Sequence, residues 1–151
     1  MPNTLFSSPQ RASVLLVDDF RDAGRTSDVL TADGNSRVTV ARDFTSALKS
    51  LATHAPDVLI TETRLCQYNG LHLVLRLREI NPAAVAIVLT ELPDNVLARE
   101  AEGLGAACLL KPVDATALLD VMNDGLRKQT ALGQNATPEG VADGGPSASR
   151  M

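Results

Sequence analysis

Several short apolar runs in this chain end in residues that can carry charge or bind an anion. Val14–Val17 runs into the pair Asp18-Asp19, Val58–Ile60 into Thr61-Glu62, Val85–Leu89 into Thr90, and Ala107–Leu110 into Lys111. Three carboxylates and an ammonium in one place make a site for a hard cation and for a charged group bridged to it. Each feature alone is bland: an Asp pair after a strand is often a turn or a cap, and Lys-Pro is common. Their joint placement at successive strand ends points to chemistry.

For these groups to meet, the runs must be parallel strands of one sheet. They are short and aliphatic, as strands covered on both faces are. The pattern places strands over Ser13–Asp18, Arg37–Ala41, Val58–Glu62, Val85–Thr90 and Ala107–Leu110. Helical patterns lie between them. Arg21–Asp33 carries Ala23, Thr26 and Leu30 on one side and stops at Gly34-Asn35. Phe44, Ala47, Leu48 and Leu51 recur at amphipathic helix spacing. The third helix has Leu71, Val74 and Leu75 inside, and Leu73, Leu77 and Ile80 widen its apolar surface into a candidate self-association face. The fourth opens at Pro93, with Leu97, Ala101 and Leu104 inside and Gly105 closing it. The last is capped by Asp114 and buries Leu118, Leu119, Met122 and Leu126. Alternating strands and helices with right-handed crossovers make a doubly wound α/β fold, flavodoxin-like (βα)5, with parallel strand order 2-1-3-4-5. The ends of strands one and three then lie side by side at the switch point, where ligands bind.

The 151 residues fit one domain over 12–128, with a flexible leader over 1–11 and a disordered tail over 129–151. Apolar residues make up 44% and aromatic ones only 3%, so the core must be aliphatic. A net charge of −4 and a pI near 5.1 leave no electrostatic footprint for nucleic acid. No apolar run is long enough to cross a bilayer and no charged-then-apolar leader is present, so the expectation is a soluble, cytoplasmic chain with neither membrane nor nucleic acid as partner. Cys66 and Cys108 form no framework and read as small loop and core residues.

Over residues 13–128 the chain resembles the receiver domain of two-component response regulators. The resemblance rests on Val-Leu-Leu-Val-Asp-Asp (14–19), Pro-Asp-Val-Leu-Ile-Thr (56–61), Asn-Gly-Leu (69–71), Ala-Ile-Val-Leu-Thr (86–90) and Gly-Ala-Ala-Cys-Leu-Leu-Lys-Pro-Val-Asp (105–114). In that family an Asp ending the third strand takes a phosphoryl group from a histidine kinase. The resemblance implies that Asp18 and Asp19 hold Mg²⁺, that Thr90 and Lys111 bind phosphoryl oxygens, and that the Lys111-Pro112 peptide is cis.

The departures decide the functional expectation. The phosphoacceptor position is Glu62, while Asp57 lies at the wrong end of its strand. Cys66 stands where proline is usual, Glu91 where a small residue is usual, Phe44 where glycine is frequent, and Cys108 at the position of the switch aromatic. Glu adds one methylene, about 1.5 Å, and Mg²⁺ needs near-octahedral geometry. A nucleophile displaced by about 1 Å loses on the order of 10²-fold in rate. The longer arm instead carries its carboxylate to the phosphoryl position, where it can pair with Lys111 and accept from Thr90. The sequence thus reads as a stand-alone, non-enzymatic signalling module that does not use Asp phosphorylation and has no catalytic residue. It requires no cofactor, and at most a degenerate set of Asp18, Asp19 and Glu62 binds Mg²⁺ weakly. The alternative is a phosphorylation-competent regulator using Glu62 with Mg²⁺. A small flavodoxin-like ligand-binding protein is disfavoured, because no phosphate loop follows the first strand. The implied partner is a histidine kinase, a phosphotransfer protein or another regulator, engaging the face of the fourth helix, fifth strand and fifth helix, with Arg99, Glu100 and Asp120 exposed there.

Overall fold

The computed structural model describes residues 12–18, 22–32, 34, 36–65 and 67–142, with 22–24 and 130–142 as backbone alone. Asp19, Cys66, the expected leader over 1–11 and the final residues 143–151 lie outside the described residues. The strands are β1 (Ala12–Val17), β2 (Ser36–Ala41), β3 (Val58–Glu62), the short pair β4 (Arg64–Leu65) and β5 (Tyr68–Asn69), β6 (Val85–Thr90) and β7 (Ala106–Leu110). The helices are α1 (Asp22–Thr31), α2 (Phe44–Thr53), α3 (Leu71–Ile80), α4 (Asn95–Gly103) and α5 (Ala115–Ala142). Five strands form one parallel sheet in the order β2-β1-β3-β6-β7, which is the doubly wound topology read from the sequence, and β4 and β5 form an antiparallel hairpin of their own.

Alternation along the strands sorts side chains into two layers. Leu15, Val17, Leu59, Ala86 and Val88 pack with α2, α3 and α4, through Leu51, Val74, Leu77 and Ala101. Val14, Leu16, Val58, Ile60, Ile87 and Leu89 pack with α1 and α5, through Leu30, Leu118 and Met122. Both cores are aliphatic, as the scarcity of aromatic residues requires. No helix among the described residues is long and apolar enough to cross a membrane.

Arg78 ties the far end of this assembly together. Its guanidinium donates to the carbonyls of Leu104 (2.7 Å), Pro82 (3.0 Å), Gly105 (3.0 Å) and Ala84, joining α3 to the end of α4 and the start of β6. Arg78→Ala strands several carbonyls at once and is expected to cost about 2 kcal/mol of stability, read by urea unfolding. Arg78→Lys should recover little, because a single ammonium cannot span the acceptors that the planar fork reaches.

Three expectations need correction. Leu75, expected inside α3, is 46% exposed, while Leu73 and Leu77 of the apolar surplus are fully buried core and Ile80 stays 42% exposed. Leu71, Leu73, Val74 and Leu77 all pack into the same cluster, so one core claims a wider arc of this helix than a single stripe. Second, α4 does not open at Pro93: Asp94 is its cap, its carboxylate accepting from Val96 N and Leu97 N at 3.0 Å each. A side-chain acceptor for the free N–H groups fixes a helix start more firmly than proline's tolerance of the first turn. Third, α5 runs past Gln129, where the tail was expected to begin, and its backbone is helical to Ala142, with Ala131, Leu132 and Gln134 as good helix formers and Gly133, Pro138 and Gly140 as poor ones.

Candidate functional site

The same alternation decides which strand-end groups can meet. Asp18 continues the even positions of β1, Glu62 the even positions of β3, and Lys111 the odd positions of β7; all three fall on the α1–α5 side of the sheet. The end of β7 is fastened to the end of β6 by Lys111 N donating to Thr90 O at 2.7 Å, which sets the lysine across from β3. The Lys111-Pro112 peptide is cis. The Lys111 ammonium donates to Glu62 Oε2, and the pair is buried, with side-chain exposures of 12% and 3%. Asp18 is buried as well, at 1% exposure.

Thr90 belongs to the other layer, and its hydroxyl donates to Leu92 O at 3.0 Å. It lines the groove beside Glu62 but serves the loop after β6, so the expected hydrogen bond to Glu62 is not made. Asp57 sits at the opposite end of β3, where its carboxylate accepts from Ser13 N at 2.9 Å and staples the strand starts together. Cys108 is half-buried on the α4 side; burial, and then the charge of Asp94, push its thiol pKa up, as for a packed cysteine rather than a reactive one.

Burial pushes the Glu62 pKa up from an ordinary 4.5 to about 7. The charges of Asp18 and Glu91 push the same way, and Lys111 opposes them. The carboxylate therefore titrates near neutrality, fully charged and paired with the lysine only on the alkaline side.

The groove above Glu62 has a volume of about 730 Å³ and runs between the β4–β5 hairpin and the loop over 91–94. The hairpin was not foreseen. It is pinned by a stack of Tyr68 on Phe44, with ring centroids 4.6 Å apart and planes inclined 11°, and the His72 ring meets Phe44 edge-on at 6.5 Å. Its return into α3 needs Gly70. That residue has ordinary dihedrals, φ −60° and ψ −20°, but a Cβ there would lie 1.9 Å from Glu62 O. The glycine supplies room beside Glu62 O, and its N–H donates to Thr63 O at 2.8 Å. The available signals were Asn69-Gly70 and an otherwise rare pair of aromatic residues.

Mg²⁺ is the ion that the family resemblance implies. Among the described residues no group of three carboxylate, histidine or cysteine side chains stands ready to hold a metal, and Asp19 lies outside them. Asp18 is a suitable hard ligand. Glu62 fits less well, because one of its oxygens already accepts from Lys111. Any cation binding there must compete with that ammonium.

Comparison with known proteins agrees with the fold. Residues 14–123 match the model of the response regulator receiver domain. A response regulator receiver protein of Anaeromyxobacter sp. (strain Fw109-5) is 37% identical over 109 residues, covering 71% of this chain and 45% of that protein. The transcriptional regulatory protein GlrR of Escherichia coli (strain K12) is 30% identical over 145 residues, covering 92% of this chain and 32% of its own length. The chain thus spans less than half the length of either relative. Among solved structures, a receiver domain protein of Clostridium thermocellum superposes with a TM-score of 0.71 at 28% identity, covering 80% of this chain and 98% of its own.

Proposed function

This chain belongs to the response regulator receiver family, and on that premise we propose that it is a pseudo-receiver, a signalling interaction module that works without phosphorylation. One observation carries the reading: the Glu62 carboxylate is already bonded to the buried Lys111 ammonium, the group that the family resemblance assigns to a phosphoryl oxygen. The extra methylene places a charged oxygen where the phosphoryl group would otherwise sit. One negative charge and two oxygens replace a group with roughly −1.5 to −2 charge and three acceptors, so the imitation is partial.

The proposed output face is that of α4, β7 and α5. Leu92, Val96 and Leu110 are 68%, 68% and 50% exposed on and beside it, and Arg99, Glu100 and Asp120 are exposed around them. Apolar side chains left in water among charged ones suit a protein partner: a kinase, a phosphotransfer protein or another regulator. Cys108 cannot swing as an aromatic ring would, so this surface is fixed rather than switched. Glu91, exposed at the mouth of the groove, repels an incoming phosphodonor. Mg²⁺ plays no required part, and its binding is expected to be weak because it must displace Lys111 from Glu62.

The test is Glu62→Gln, which keeps the length and removes the charge. Near pH 8, amide resonances of β7 and α4 should shift relative to wild type as the Lys111 contact weakens. Spectra that differ only at Glu62 and its chain neighbours would show that the carboxylate does not set the surface.

A further inference from the structure

At the other end of the sheet, between α2 and the edge strand β2, lies a second groove of about 480 Å³. β2 pairs only with β1, and α2 leaves Arg37 and Thr39 of that strand uncovered. Lys49, Ser50, Thr53 and His54 line the groove from the α2 side, with Leu15 and Pro56 toward its base. The chain carries a net charge of −4, yet every ionisable side chain lining this groove is a base. Among the described residues no carboxylate lies within ion-pair distance of Arg37, Lys49 or His54. Asp43, which feels the charge of Lys49, caps the opposite end of α2 and is held by Ser46 N–H.

Several acceptors around the groove are already in use. Lys49 O takes the Thr53 hydroxyl at 2.8 Å, Ser50 O takes His54 N at 2.9 Å, Ser13 O takes Asp57 N at 2.8 Å, and Pro56 O takes the Asn81 amide at 3.3 Å. The nearby Asp57 carboxylate accepts from Ser13 N. Of the last carbonyls of α2, which oppose an anion, that of Ser50 is taken by His54 N. The lining also supplies donors: a guanidinium, an ammonium, an imidazole and the hydroxyls of Thr39 and Ser50. We propose that this groove binds the phosphate group of a small phosphorylated molecule, with Arg37 and Lys49 as the principal ligands and the remainder of the molecule lying over Pro56 and Leu15. A forked guanidinium beside an ammonium suits a phosphate's several oxygens, and the volume falls within the range of about 300–1,000 Å³ usual for small-molecule sites.

The site is separate from Glu62, so it stands or falls independently of the pseudo-receiver reading. The test titrates the full chain with inorganic phosphate and with ribose 5-phosphate, followed by amide resonances, with ribose and acetate as controls. Both phosphates should shift Thr39, Ser50 and His54, ribose should not, and the double variant Arg37→Ala/Lys49→Ala should bind at least about tenfold more weakly. Both positions are exposed, so the variant should fold, which its own spectrum checks. The proposal is overturned if neither phosphate binds, if acetate binds as well as phosphate, if the double variant binds undiminished, or if the shifts fall at Thr90 and Lys111 instead.

Discussion

Lys111→Met is expected to cost about 3–5 kcal/mol of folding stability near pH 8, because it leaves the Glu62 carboxylate buried without its counter-charge. The cost should depend steeply on pH. In the wild-type fold the Glu62 pKa is about 7 against an ordinary 4.5, so the folded state binds this proton more tightly than the unfolded one. That contribution to stability is whole below about 4.5 and is lost as the pH rises through about 7. Without Lys111 the folded value climbs further and the loss above neutrality deepens. Near pH 5 Glu62 is mostly protonated in both proteins, and the variant should lie within about 1 kcal/mol of wild type, the scale of one neutral hydrogen bond. Urea unfolding at the two pH values reads the difference. Equal destabilisation at both would mean that Lys111 does not act through the charge of Glu62.

Gly70→Ala is expected to cost about 3 kcal/mol, the upper part of the range for overpacking, because the new methyl group meets a backbone oxygen and not a flexible side chain. A Cβ 1.9 Å from Glu62 O forces either β3 or the start of α3 to move, and Thr61 Oγ1, which donates to the same oxygen at 3.0 Å, must move too. For a chain of this length that corresponds to roughly 10 °C in melting temperature. The displaced residue is Glu62 itself, so the variant should also loosen the Lys111 contact and move the β7 resonances that Glu62→Gln moves. Gly34→Ala, where φ is +76° but nothing lies within 4 Å, should lose only the smaller conformational cost, on the order of 1 kcal/mol.

The parts of this fold that were legible in the sequence are those fixed by periodicity. The strand Val85–Thr90 and the end of β3 at Glu62 lie where the apolar runs placed them, because a strand buried on both faces leaves an uninterrupted aliphatic signature. The meeting of Glu62 with Lys111 follows from topology and arm length together. Thr90 was assigned to the wrong neighbour for a reason that the sequence did contain: counting alternation from Ile87 and Leu89 sets Thr90 on the opposite face. Which apolar residues of α3 stay outside was not legible, because Leu71, Leu73, Val74 and Leu77 together claim an arc wider than one stripe while Leu75 and Ile80 remain exposed. Nor was the β4–β5 hairpin, whose two-residue strands are too short for a period and whose position depends on Tyr68 finding Phe44 across the fold. The cap at Asp94 was visible as an acid before a helical pattern, and Pro93 drew attention from it.

The central claim is that the carboxylate of Glu62 stands in for a phosphoryl group and does not receive one. Intact mass after incubation with acetyl phosphate and Mg²⁺ tests it most directly, with Glu62→Asp run alongside as the control that restores the shorter arm. The account predicts no change in wild type and an acid-labile gain of one phosphoryl group in Glu62→Asp. A phosphoryl group on wild type that disappears in Glu62→Gln would contradict it.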